Sequence, residues 1–161
     1  VRERLPSGQL FEGHCSAWMQ HCAGPEPALR HLPISASPTK HSTDFCLPED
    51  LKRPLLLLAT GTGIAPFRSF WTHRQYVSKQ RGYANAFGPW TLFYGCRHPD
   101  CDFLFRDELE ACQAQGIIHD LHIAYSQQEP RKYVWHLLEE QGAHIYRLLT
   151  EGAGVYLCGS P

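Results

Sequence analysis

From residue 54 onward, short apolar runs alternate with longer stretches of helical spacing. Leu55-Leu56-Leu57-Leu58-Ala59 is an unbroken apolar run between Pro54 and the glycine pair Gly61 and Gly63. Such a run, bounded by turn residues, predicts a strand buried on both faces. Phe67, Phe70, Trp71 and Arg74 then fall at helical spacing, which predicts a helix over 67–79. Residues 82–89 are predicted as loop, 90–94 as a second buried strand, and 103–113 as a helix with Phe105, Leu109 and Cys112 on one side. A third strand is expected over 120–125, one broken helix or two over 133–140 and 144–150, and a fourth strand over 154–157. Buried strands alternating with helices predict an α/β fold, an open parallel doubly wound sheet with helices on both faces.

Residues 1–50 lack this alternation. Gly13-His14-Cys15-Ser16-Ala17-Trp18 suggests a turn into a short helix, with Ser16 near its N-cap. Gly24-Pro25-Glu26-Pro27 breaks the chain, residues 33–38 are rich in Ser and Pro, and Phe45-Cys46-Leu47-Pro48 closes the region as a turn. The apolar periodicity is too sparse for a domain and is expected to be the tail of one. The organisation read here is therefore 1–50 as such a tail with its linker, and 51–161 as a second domain.

Composition narrows the function classes. A net charge of −1 over 161 residues gives no signal for nucleic acid or a polybasic membrane surface. No apolar run approaches membrane-spanning length, and Val1-Arg2-Glu3-Arg4 has no signal-peptide pattern. The missing initiator Met suggests a piece of a longer protein. Seven cysteines at irregular spacing favour free thiols in a reducing, cytoplasmic compartment. The closest histidines, in His119-Asp120-Leu121-His122, are placed on opposite sides of a strand and make a poor chelate, so solvated histidines are expected rather than a metal site.

The candidate chemistry lies where the predicted strands end, since ligands of such sheets bind beyond the carboxyl ends of the strands. The first strand leads into Thr60-Gly61-Thr62-Gly63, with Pro66 in the first turn of the helix beyond. A strand, a glycine turn and a helix N-terminus can point backbone N–H groups at a phosphate. On these residues alone an ordinary strand–helix connection fits equally well. The second strand leads into Gly95-Cys96-Arg97, and the third into Ser126 and Gln127 with Arg131, Lys132 and Tyr133 beyond. The fourth leads into Cys158-Gly159-Ser160. Cations on this edge can pair with phosphates and Tyr133 can stack on a base. Taken singly, Arg131 and Lys132 could be a solvated pair and Cys96 a packing residue.

At this point the chain resembles the NADPH-binding end of the diflavin reductases, a family that includes NADPH–cytochrome reductase, the nitric oxide synthase reductase module and methionine synthase reductase. The matching stretches are Gly61-Thr62-Gly63-Ile64-Ala65-Pro66-Phe67-Arg68-Ser69-Phe70-Trp71, Phe93-Tyr94-Gly95-Cys96-Arg97, Phe103-Leu104-Phe105-Arg106-Asp107-Glu108-Leu109, Lys132-Tyr133-Val134 and Tyr156-Leu157-Cys158-Gly159. Arg68-Ser69-Phe70-Trp71 leans toward the nitric oxide synthase branch and Cys96-Arg97-His98 toward methionine synthase reductase.

The resemblance implies a ferredoxin–NADP reductase-like module in which NADPH passes hydride to FAD. FAD would then feed electrons to FMN on a separate domain or to a flavodoxin-like acceptor, and on to a haem or cobalamin centre. Gly61, Thr62 and Gly63 are implied at the NADP phosphates. Arg97, Ser126, Lys132 and Tyr133 are implied at the adenosine 2′-phosphate end, Cys96, Gln127, Arg131 and Trp135 as further cofactor-binding positions, and Cys158 as the catalytic residue beside the nicotinamide. Gly13, His14, Cys15 and Ser16 are implied at the FAD pyrophosphate. Several positions depart from the family's pattern: Thr60 replaces a Pro, Gln127 an Arg, Trp135 a Gln, and Ser160 an Asp. The chain is also expected to stop before the family's last helix and strand. These departures leave a second expectation, a catalytically silent nucleotide-binding or interaction fragment. A flavodoxin-like doubly wound domain fits the alternation but not residues 13–18.

Overall fold

The computed structural model describes residues 2–4, 10–12, 18–19, 45–80 and 87–159. The chain forms two compact units, residues 1–42 and 43–161. In the first, β1 (Arg2–Arg4) pairs antiparallel with β2 (Leu10–Glu12), Arg2 opposite Glu12. Trp18 and Met19 are helical and exposed. Gly13, His14, Cys15 and Ser16 lie outside the described residues.

The second unit is built on four parallel strands: β3 (Leu55–Thr60), β4 (Trp90–Cys96), β5 (Asp120–Tyr125) and β6 (Gly154–Cys158). Their order is β5-β4-β3-β6. The helices are α1 (Ile64–Ser78), α2 (Arg106–Ala114), α3 (Val134–Glu140) and α4 (Gly142–Thr150). The unbroken apolar run becomes a central strand because both of its faces are covered. Leu55, Leu57 and Ala59 join Trp90, Leu92, Tyr94 and Cys96 under α1 and α2, which contribute Ile64, Phe67, Phe70, Trp71, Leu109 and Cys112. Leu56 and Phe93 join Leu137 of α3 on the other face, with Val134, Leu138 and Ile145 packed around them. The chain steps outward from β3 to β5 with its helices on one face, then returns past β3 to β6 with α3 and α4 on the other. A right-handed crossover that reverses direction must change faces in this way. The sheet is therefore the open, doubly wound α/β type that the alternation predicts.

Residues 45–50 pack on this unit. The Phe45 ring lies 5.6 Å from those of Phe67, Phe70 and Tyr156, and Tyr156 donates its hydroxyl to the Cys46 carbonyl at 2.7 Å. Burying one such large side chain contributes about 1.5–3 kcal/mol, whereas an exposed pair such as Arg68–Glu108 is screened by water and contributes little. Aromatic packing, more than surface charge, holds α1 to the sheet.

Two local differences from the sequence expectations, and one agreement, have physical causes. α1 starts at Ile64, three residues early, because the Gly61–Gly63 turn is already a 3₁₀ helix that runs into it. Phe105, expected on the buried side of a helix beginning at 103, instead sits just before α2 in the left-handed region, at φ 57°. That conformation costs a non-glycine residue about 1–2 kcal/mol. Its ring recovers part of this by meeting Trp71 edge-on at 6.2 Å and lying 4.9 Å below the Arg68 guanidinium. Arg74, placed among the apolar positions of α1 by its spacing, is indeed buried. It donates to the Gly88 carbonyl at 2.9 Å and lies over the rings of Phe87 and Trp90, at 5.0 and 4.6 Å. Burial pulls its guanidinium down to about 10, still charged at neutral pH.

His119 accepts the Trp90 N–H through Nδ1 at 3.2 Å, and His122 stacks on Phe93 at 4.6 Å. Among the described residues no cluster of metal-ligating side chains occurs, and no helix is long and apolar enough to cross a membrane.

Candidate nucleotide-binding site

The strand order reverses between β3 and β6, and there the two chain ends interlock. A Cβ on Gly63 would lie 2.1 Å from the Cys158 carbonyl oxygen, and one on Gly159 would lie 2.0 Å from Thr60 Oγ1. Only glycine lets the backbones approach this closely. Gly61 is different: it has φ +54° and nothing within 4 Å of where a Cβ would stand. The first turn of α1 has no side-chain cap and no acidic residue. The Ile64 N–H is taken up by the Gly61 and Thr62 carbonyls and Pro66 has no N–H, so what faces the crevice beside the open glycine turn is the positive end of a fifteen-residue helix. The positive end of a helix favours an anion.

On the other side of the edge, the loop after β5 is fastened at both ends. Ser126 N–H donates to the Cys96 carbonyl at 3.0 Å, Gln127 N–H to Arg97 at 2.8 Å, and Lys132 N–H to Tyr125 at 2.9 Å. The Val134 side chain sits against Gly95, with Cγ2 2.8 Å from where a Cβ would be, so a side chain at 95 would push Val134 from its place over the end of β4. This places Lys132 and Tyr133 at the rim. Tyr133 is exposed, its N–H donating to His136 Nδ1 at 3.0 Å. Trp135 is also exposed and stacks on the His136 ring at 3.5 Å. Two aromatic faces are thus presented beside the rim.

The residues named from the sequence fall into distinct groups. Gly61, Thr62 and Gly63 meet Cys158 and Gly159 at the reversal of strand order, and Cys158 is half-buried there. Ser126, Gln127, Arg131, Lys132, Tyr133 and Trp135 gather past β5, with Arg97 alongside. Cys96 is at the same edge, but its side chain belongs to the core and burial pushes its thiol up to about 12. What it offers the edge is its carbonyl, already used by Ser126. Ser160 lies outside the described residues.

Sequence reasoning missed the carboxylates that answer the cations. Arg97 Nε donates to Asp102 at 3.0 Å, Arg131 Nε to Glu129 at 3.1 Å, and Lys132 Nζ to Glu140 at 2.7 Å. Arg97, Arg131 and Lys132 lie in loops, where helical or strand periodicity carries no signal for the partner. Asp102 also accepts the backbone N–H groups of Arg97 and His98. Burial alone would raise this carboxyl, but the His98 N–H, the Arg97 side chain and the Arg97 N–H outweigh it and hold it below its usual range.

A pH dependence follows. The unfolded chain binds the Asp102 proton more tightly, so this stabilisation is complete above the unfolded value of about 3.9 and fades as pH falls through the lower folded value. Asp102→Asn should lower stability at neutral pH by about 1–2 kcal/mol. The gap between variant and wild type in urea unfolding should shrink by about pH 3. An equal gap at both pH values would mean that the carboxylate charge contributes nothing.

Residues 57–161 match the family model described as the oxidoreductase NAD-binding domain. The chain belongs to this family. Inducible nitric oxide synthases are among the relatives of this oxidoreductase NAD-binding domain. That of Canis lupus familiaris is 38% identical over 94% of the chain, that of Sus scrofa 37% over 98%, and that of Homo sapiens 36% over 94%. The chain spans 13% of the length of each of these proteins. The oxidoreductase NAD-binding domain seen here is thus related to the nucleotide-binding module of the diflavin reductases, as the motifs imply. The crevice at the reversal of strand order is where such a sheet takes its dinucleotide.

Proposed function

We propose that this chain is the NADPH-binding part of a diflavin oxidoreductase, with residues 1–50 the tail of its FAD-binding domain and the linker that follows it. The observation that carries the reading is the interlocked edge, where Gly63 and Gly159 bring the end of β6 against an open turn and an uncapped helix start. In this reading Gly61, Thr62 and Gly63 hold the phosphates, while Arg97, Ser126, Lys132 and Tyr133 hold the 2′-phosphate end and Trp135 flanks the adenine. NADPH when bound supplies a hydride to FAD, for onward transfer through FMN or a flavodoxin-like acceptor. The chain's own contribution is orientation and a fixed electrostatic environment. In the same reading Cys158 stands beside the nicotinamide, which its closeness to the glycine turn at Gly63 supports.

Calorimetric titration of the 161-residue chain with NADP⁺ and 2′,5′-ADP tests the binding half of this reading. Micromolar binding supports it. Absence of binding would favour a catalytically silent interaction fragment, the alternative that Gln127 and the self-paired cations support. The Cys158 assignment is tested in a longer module carrying its flavins. Cys158→Ala should lower kcat for NADPH oxidation about ten-fold with KM little changed, the signature of a lost transition-state interaction. An unchanged kcat would sink the assignment.

A further inference from the structure

We propose that Glu140 sets how strongly this site prefers a nucleotide bearing a 2′-phosphate, by drawing the Lys132 ammonium away from it. The inference rests on the nucleotide-binding reading above. Lys132 Nζ donates to both Glu140 carboxylate oxygens, at 2.7 and 3.0 Å. The two residues stand at opposite ends of α3: Lys132 comes two residues before Val134, and Glu140 closes the helix. At about 1.5 Å per residue, α3 is roughly 10 Å long. To reach Glu140 the lysine side chain must lie along the helix, although its own N–H is fixed to Tyr125 at the strand end. A glutamate in the last turn opposes the helix dipole, so it gains from a cation beside it. Lys132 supplies that cation, and the charge expected at the rim is held off it.

The neighbouring cations show the same pairing, so the rim is close to neutral where selectivity for a phosphate needs excess positive charge. Glu140 is nevertheless the decisive carboxylate. Asp102 binds the backbone N–H groups of Arg97 and His98 and belongs to the loop's own structure. The Arg131–Glu129 pair is more exposed, at 66% and 79%, than Lys132–Glu140, at 42% and 50%, and is screened more strongly by water. A 2′-phosphate must compete with Glu140 for the ammonium. A nucleotide without that group meets no such competition.

The test is calorimetric titration of the full chain with 2′,5′-ADP and 5′-AMP, using wild type, Glu140→Gln, Lys132→Gln and the double variant. Glu140→Gln should tighten 2′,5′-ADP about two- to five-fold and leave 5′-AMP unchanged. The gain should be largest at low salt and vanish when Lys132→Gln is added. A gain for both nucleotides, a gain that survives Lys132→Gln, or no gain overturns the role of Glu140 while leaving the site standing, because both ligands still bind. If neither nucleotide binds any form of the protein, the nucleotide-binding reading falls and this inference falls with it.

Discussion

Gly63→Ala should destabilise the sheet unit by about 3 kcal/mol or more, lowering the melting temperature by roughly 6–12 °C for a chain of this size. The added methyl would meet the Cys158 carbonyl oxygen at 2.1 Å, its carbon at 2.5 Å and the Gly159 Cα at 2.6 Å. All three are backbone atoms, so no side chain can swing aside. Relief requires β6 to move away from β3, which disturbs the hydrogen bonds of a parallel pair. Gly61→Ala is the control. Nothing stands within 4 Å of its Cβ position, and the strain there comes from φ +54° alone, about 1–2 kcal/mol. Thermal unfolding of the two variants should separate them clearly. Equal losses would show that close approach is not what demands glycine at 63. Dinucleotide binding should fall in both variants, so stability is the measurement that distinguishes them.

Gln127→Arg should tighten 2′,5′-ADP about ten-fold and leave 5′-AMP nearly unchanged. Gln127 follows β5, is exposed, and is tied to Arg97 through its backbone N–H, which leaves its side chain to the rim. A charge-assisted hydrogen bond contributes roughly 1.5–3 kcal/mol. Exposure favours the lower figure, and about 1.4 kcal/mol corresponds to ten-fold. The same change adds a cation to a rim whose other cations are already paired, so the new charge need not be shared with a carboxylate that the fold depends on. Equal gains for both nucleotides would mean that the side chain at 127 faces the common phosphates instead. No gain for either would place it outside the site.

How much of this was legible in the sequence depends on how local the cause is. β3, the glycine turn and α1 are legible because an unbroken apolar run, two glycines and a 3.6-residue spacing each act within a few residues. The strand order has no such signature, but the alternation of strands with helices restricts it to a few right-handed arrangements. Phe105 was misplaced because its left-handed conformation goes with packing on Trp71, a residue far away in the chain, which no local spacing reveals. The β1–β2 pair was not anticipated, since each strand has only three residues and no alternation to announce it. At the site, the glycines, Cys158 and the residues after β5 were legible as the ends of predicted strands. The partners of the cations were not: Lys132 meets Glu140 only because a short helix lies between them, and spacing alone does not say which way a lysine will lie.

The place of β6 in the sheet also bears on how the domain comes into being. β3 is synthesised well before β6, yet they are neighbours, and Arg53 reaches the Gly152 carbonyl across 99 residues. Closing so long a loop is entropically unfavourable until its contacts form, and non-local pairing of this kind slows folding. On a ribosome adding about 5–20 residues per second, β3 waits roughly 5–20 s with one edge unpaired. During that time the glycine turn exists without the Cys158 carbonyl against it. Pairing with β6 covers the open edge of β3 and brings the Cys158 carbonyl against the glycine turn in the same event.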